Sequence, residues 1–427
     1  MRRVGLWVLV AAILGVVAST DAADGPAVAD RQEGKVVDTT AFAADLYARL
    51  AAQSKDNLFF SPTSIETALA MTYAGARGNT AAQMAKTLHF ENDAAKVSAA
   101  FAKRLQILNN PPAQLVMYSP DESGKSKAVM QSPYQLFVAN ALWGQQGYPF
   151  KPDFIDLVQK NFGGGLNNVD FAGHTEETRK TINDWAAKQT KDRIKDLIAP
   201  GLLTPLTRLV LTNAIYFKSN WEHSFTKALT KDGPFHLSAD KSVNVPLMHQ
   251  TNTFAYGENE ELQFLSMPYT QDVLSMVVLL PRQADGLAAL EKKLTAENLD
   301  RWLKNITAAS VEITFPKYTF SSEFQLKDIL SAMGMPDAFD DGKADFSGMT
   351  TAERLFISAV VHKAFVAVDE EGTEAAAATA VIMAGRAALL PQEPKVFKAD
   401  HPFIFLIRHN ATGEILFLGR IVNPTGQ

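Results

Sequence analysis

Very little in this 427-residue chain could do covalent chemistry. It contains no cysteine, which excludes thiol nucleophiles, thiolate metal sites and disulfides. There is no Gly-x-Ser-x-Gly elbow, no His-Glu-x-x-His pair and no glycine-rich phosphate loop ending in Lys-Ser/Thr. The 8 histidines are scattered without ligand-like spacing, and Gly163-Gly164-Gly165 reads as a turn. No enzymatic activity, cofactor or metal is expected. The stretch with the most unusual chemistry has almost none: Glu370-Glu371-Gly372-Thr373-Glu374-Ala375-Ala376-Ala377-Ala378-Thr379. Beyond its first glutamates it offers only small size and little charge. Such a segment can leave solvent and lie as a strand inside a packed sheet without burying bulk or ions. The expected function is therefore a movement of backbone.

The elements that must receive such a strand follow from the pattern. Hydrophobic residues make up 47% and charged residues 20%, ordinary for a chain with a large core. The net charge of −5 gives no bulk attraction to nucleic acid or anionic membrane. Helical periodicity begins near Thr39, with Phe42, Leu46 and Leu50 on one face. Ser61-Pro62 opens a second helix, as cap and first turn, with Ile65, Leu69 and Tyr73 as its stripe. A helix is expected over 176–190. Strands are expected at 134–143, 208–217, 262–267, 273–280, 311–315, 355–368, 402–408 and 415–421. The order is neither alternating nor all-β, so the class is α+β. The stretch from Asn109 to Ser132, rich in proline and serine, reads as an exposed loop or insertion. Arg2 and Arg3 before an apolar run, Val4 to Ala18, and small residues up to Ala23 predict a secretory signal over 1–22. The run is shorter than the ~20 residues a spanning helix needs. A loose tail over 23–37 and a single domain over 38–427 are expected next, with export to the extracellular space, or to the periplasm in a bacterium.

Several segments in order resemble the serpin family. They are Asn57-Leu-Phe-Phe-Ser-Pro-Thr-Ser-Ile65, Gly75-Ala-Arg-Gly-Asn-Thr80, Val138-Ala-Asn-Ala-Leu-Trp143 and Leu211-Thr-Asn-Ala-Ile-Tyr-Phe-Lys218 with Trp221. Asp345-Phe-Ser-Gly-Met349, Val361-His-Lys-Ala-Phe365, Ala399-Asp-His-Pro-Phe-Ile-Phe405 and Phe417-Leu-Gly-Arg-Ile421 complete the set. The resemblance spans nearly the whole mature chain, and the 109–132 stretch is longer than usual for it. It implies three β-sheets with eight or nine helices and an exposed reactive loop at about 370–396. It also implies a monomer that traps a serine protease covalently as an acyl-enzyme when the cut loop inserts into the main sheet.

Residue by residue, the resemblance makes Glu370 to Thr379 the hinge, with Gly372 as pivot because glycine tolerates unusual backbone angles. The family's spacing from Gly372 puts the scissile bond between Arg386 and Ala387; cleavage after Gly385, Ala387 or Leu389 is the alternative. An arginine there suits the acidic specificity pocket of a trypsin-like protease. Ser61, Ser64, Asn213 and His362 fall at the sheet-opening cluster, and Trp221, Lys317 and Glu370 where insertion begins. On the residues alone, Thr373, Ala375, Ala377, Thr379, Val381 and Met383 share one strand face, small or apolar and uncharged. A surface helix capped by Thr373 is the other reading of the alanines. A serpin fold used as carrier, storage protein or chaperone is the alternative function. Such relatives usually carry charged, bulky or proline residues in the hinge.

Overall fold

The computed structural model describes residues 36–118, 127–351, 355–373 and 393–426. The expected signal peptide, most of the tail, Glu374 to Thr379, Arg386 and Ala387 lie outside them. Val36 and Val37 belong to the stretch expected as a loose tail. Both are half-buried, and Val37 bridges Phe90.

The described residues form nine α-helices with mixed sheets, an α+β fold. Six strands make the main sheet: β1 (Gln135–Gln145), β2 (Leu166–Val169), β3 (Leu209–Asn220), β4 (Tyr318–Gln325), β5 (Ala359–Val368) and β6 (Gly372–Thr373). Their order across the sheet is β4-β5-β6-β3-β1-β2, and β5 also pairs directly with β3, in parallel. A nine-stranded sheet packs behind it. Its Leu274–Pro281 and Ile415–Ile421 strands are buried along their whole length, which is why they read as mostly apolar runs. The two sheets meet through aromatic contacts. Phe320 of β4 lies edge-on to Phe59 of the nine-stranded sheet at 6.3 Å, and Phe217 of β3 lies 5.8 Å from Phe417. This gives a non-disulfide core its cohesion.

The Pro62–Tyr73 helix is capped by Ser61, whose hydroxyl accepts the Ser64 amide at 3.1 Å, and every one of its residues is buried behind the main sheet. It even buries Glu66. Desolvation pushes that carboxyl up to about 8, although Arg104 approaches its other oxygen at 3.3 Å. The Thr175–Gln189 helix covers the front of the sheet, setting Ile182 and Ala186 against Ala139, Val210 and Val361.

Two expectations change. The 355–368 strand begins only at Ala359, because the Ile357 amide turns away to the Ala338 carbonyl. The 109–132 stretch is no plain loop. Gln114–Tyr118 and Lys127–Gln131 pair as an antiparallel ribbon, a two-stranded sheet of its own.

Candidate functional site

The site lies along the seam between β3 and β5. These parallel strands are paired from Ala359↔Val210 to Phe365↔Tyr216. Beyond that they part, and β6 occupies the gap. Gly372 and Thr373 pair antiparallel with Asn220 and Ser219 of β3, and Thr373 also pairs with Val368 of β5. Thr373 is 1% exposed, and its hydroxyl meets that of Tyr269 at 2.7 Å. Gly372 is needed there for room. A Cβ on it would collide with the Ser219 carbonyl oxygen, and its backbone is not in the left-handed region, so the pivot expectation is corrected to one of close approach.

The turn before β6 is tied down by backbone and charge together. Asp369 Oδ1 accepts the amides of Glu371 and Gly372 at 2.8 and 3.2 Å. Trp221 donates its indole N–H to the Asp369 carbonyl at 3.0 Å and its amide to the Glu371 carbonyl at 2.8 Å. Its ring stacks on Tyr269 at 4.6 Å. Lys317 Nζ donates to Glu370 Oε2 at 2.7 Å and the Thr230 hydroxyl to Oε1 at 2.8 Å. Burial pushes the Glu370 carboxyl up, but these hydrogen bonds outweigh it and hold the group below the usual carboxylate range. The structure thus joins Trp221, Lys317 and Glu370. The Glu370 side chain is only 5% exposed, so removing Lys317 would strand a buried carboxylate.

Midway along the seam, Ser61, Ser64, Asn213 and His362 come together. His362 and Asn213 face each other in the β5–β3 register, and Asn140 of β1 faces Asn213 from the other side. The Ser61 amide donates to His362 Nε2 at 3.2 Å, so that nitrogen carries no proton and Nδ1–H is left to donate to Asn213 Oδ1. Asn213 Nδ2 donates to Ser64 Oγ at 2.6 Å and to Asn140 Oδ1, which also accepts the Ser64 hydroxyl at 3.0 Å. Ser61 reaches the histidine only through its backbone, since its side chain caps the helix. The result is a polar line across three strands, anchored from beneath by the buried helix. Burial pushes His362 down to about 3, so it is neutral.

Sequence reasoning missed Asn140, Thr230 and Tyr269. Asn140 had a signal, a lone amide in the apolar Val138–Trp143 run. Thr230 and Tyr269 had none, because only folding brings them to the hinge. No group of histidine, aspartate and glutamate side chains among the described residues could hold a metal ion. The arrangement has no nucleophile beside a base. What it can do is keep two parallel strands together, or exchange their mutual bonds for bonds to a third.

A family model described as "Serpin (serine protease inhibitor)" matches residues 38–424. Human leukocyte elastase inhibitor is 42% identical over 394 residues, spanning 90% of this chain and 98% of that protein. A serpin-like protein of Thermococcus kodakarensis is 43% identical over 394 residues, spanning 92% of this chain and 87% of its own. Among solved structures, a serpin of the insect Tenebrio molitor aligns with a TM-score of 0.77 at 32% identity, covering 90% of this chain and 96% of that one. Human thyroxine-binding globulin, complexed with thyroxine, aligns at 0.79 and 28% identity, covering 91% and 97%.

The buried neutral histidine has a pH consequence. Its folded value lies below the ordinary 6.5, so the unfolded chain binds the extra proton. The stability it contributes is complete above about pH 6.5 and is lost as pH falls toward about 3, at up to ~1.4 kcal/mol per pH unit. The melting temperature of the intact protein should drop on acidification from about pH 7 to about pH 5, and less steeply in His362→Gln. Equal slopes would remove His362 from the account.

Proposed function

Because the chain belongs to the serpin family, we propose that it inhibits trypsin-like serine proteases as a suicide substrate, trapping them by insertion of its own cut loop. The protease serine attacks the Arg386 carbonyl, the Ala387 amine leaves, and an acyl-enzyme forms. The freed hinge then extends β6 down the seam between β3 and β5, carrying the protease with it. The observation that carries this reading is that Thr373 is already paired with both strands. The inserted strand therefore has a starting register and needs no nucleation.

That register has a consequence. Continuing one residue at a time from Thr373↔Val368 and Thr373↔Ser219 sets Thr379 opposite His362 on one side and Asn213 on the other. The His362–Asn213 bond must break as the strand passes, and the Thr379 hydroxyl replaces the lost partner on the small-residue face that begins at buried Thr373. Insertion of about ten residues adds on the order of 10 kcal/mol of net hydrogen bonding. Charge, bulk and proline are absent from the alanine run, which favours inhibition over a carrier, storage or chaperone role. In this reading the protein acts as a monomer, needs no cofactor, and is exported by its 1–22 signal. No helix among the described residues is long and apolar enough to cross a membrane.

Incubation with a panel of serine proteases tests the class. A complex with a trypsin-like enzyme should survive denaturing electrophoresis, with a released peptide beginning at Ala387. Clean cleavage without a complex would favour the non-inhibitory reading. Arg386→Leu should lower the rate with trypsin by orders of magnitude, and an unchanged rate would sink the assigned bond. Thr379→Val should leave the intact protein's melting point alone but lower that of the cleaved form, by ~1–3 kcal/mol of stability for the groups left unpaired. Equal effects on both forms would contradict the register. Mass spectrometry of exported protein should place its N-terminus just after Ala22 or Ala23, and a chain retaining Met1 would refute the signal.

A further inference from the structure

The ribbon of Gln114–Tyr118 and Lys127–Gln131 lies outside the hinge and the seam. Its ladder joins Leu115 to Met130, Val116 to Val129 and Met117 to Ala128, apolar types at successive paired positions, so apolar positions fall on both faces. Neither strand pairs with another sheet among the described residues. Met130 is 59% exposed. A two-stranded hairpin is marginal in water on its own, and an exposed apolar side chain such as Met130 on it marks a contact point.

Its base sits beside the hinge. The Gln131 carbonyl accepts Gln271 Nε2 at 3.3 Å, and the neighbouring Thr270 hydroxyl donates to the Asn220 carbonyl at 3.2 Å. The Ser219 hydroxyl donates to the Pro133 carbonyl at 2.7 Å. Ser219 and Asn220 are the residues that pair with Thr373 and Gly372. The ribbon therefore stands at the end of the main sheet where the loop following Thr373 departs. A protease seated on that loop needs roughly 800 Å² of contact on each partner, so its body must spread onto the surface beside the hinge.

We propose that this ribbon is an accessory docking surface for the trypsin-like protease, contacting the enzyme's surface beside its active-site cleft before the loop is cut. This rests on the function proposed above. Gln114 and Gln131 face each other in the ladder, so a short Gly-Ser linker can replace the ribbon without moving its ends. That deletion should leave the melting point unchanged and slow association with trypsin ~10-fold, at an unaltered ratio of trapped to cleaved product. Met130→Asp, which keeps the ribbon, should slow it in the same sense. A benzophenone side chain introduced at position 130 should crosslink to trypsin whose catalytic serine is replaced by alanine. An unchanged association rate, or failure to capture the protease, overturns the proposal. So does a dimer of the intact chain that the deletion abolishes, which would give the ribbon to a second copy. Absence of any trapped complex with the intact chain is a different failure, one that removes the function reading and with it this occupant.

Discussion

Two parallel strands, β3 and β5, lie side by side in the middle of the main sheet, and beyond their paired stretch Thr373 already lies between them. They are joined over seven paired positions, with His362 and Asn213 facing each other inside that stretch. The bonding there is polar, and that matters physically. An apolar seam would resist separation in proportion to its area and offer nothing to a newcomer. Buried amide, imidazole and hydroxyl groups resist separation only while no alternative partner is available, because leaving them unpaired is what costs free energy. The same groups that hold the seam shut can therefore bond to an arriving strand with little net loss.

The surroundings restrict how the seam can open. Behind it, the Pro62–Tyr73 helix is buried along its whole length and holds Ser64 against Asn140 and Asn213, so the polar line has a fixed support. In front, the segment after the Thr175–Gln189 helix is anchored by buried Ile194, Leu197 and Ile198 and by the Asn183 side chain, which bonds the Ile198 amide at 2.7 Å and carbonyl at 3.0 Å, and it also reaches the sheet through charged side chains. Lys191 lies over the Phe137 ring at 5.6 Å, Arg193 over Phe365 at 5.9 Å, and Lys363 Nζ reaches the Lys195 carbonyl at 3.0 Å. Lys191, Asp192 and Asp196 have φ of 51, 61 and 52°, in the left-handed region that costs side-chain-bearing residues energy.

At the hinge end the same balance recurs on a smaller scale. Glu370 is buried, yet Lys317 and Thr230 keep it charged and satisfied, while Trp221 and Tyr269 close over the turn. The turn is held firmly while Thr373 is already inside the sheet. The place of Thr373 between β3 and β5 is thereby set by packing.

Local sequence carried a good deal of this. The apolar central strands, the Ser61-Pro62 helix start and the Thr175–Gln189 helix were legible because each depends on residue type and near-neighbour spacing. The Lys231–Ser238 and Lys241–Glu258 strands and the ribbon were not, since their polar or irregular composition becomes β only through cross-strand partners. Asn140, Thr230 and Tyr269 escaped for a related reason: their importance lies in which distant side chain they meet. Gly372 was explained by its freedom of backbone angle, whereas the Ser219 carbonyl that leaves no room for a Cβ there is a tertiary fact. By itself, then, the sequence determined which stretch of chain is small and nearly without charge, since that is a property of residue type alone. The tertiary structure alone decided that Thr373 lies between β3 and β5 and which polar groups line the seam below it, because register, polar partnership and steric room exist only between segments brought together from far apart in the chain.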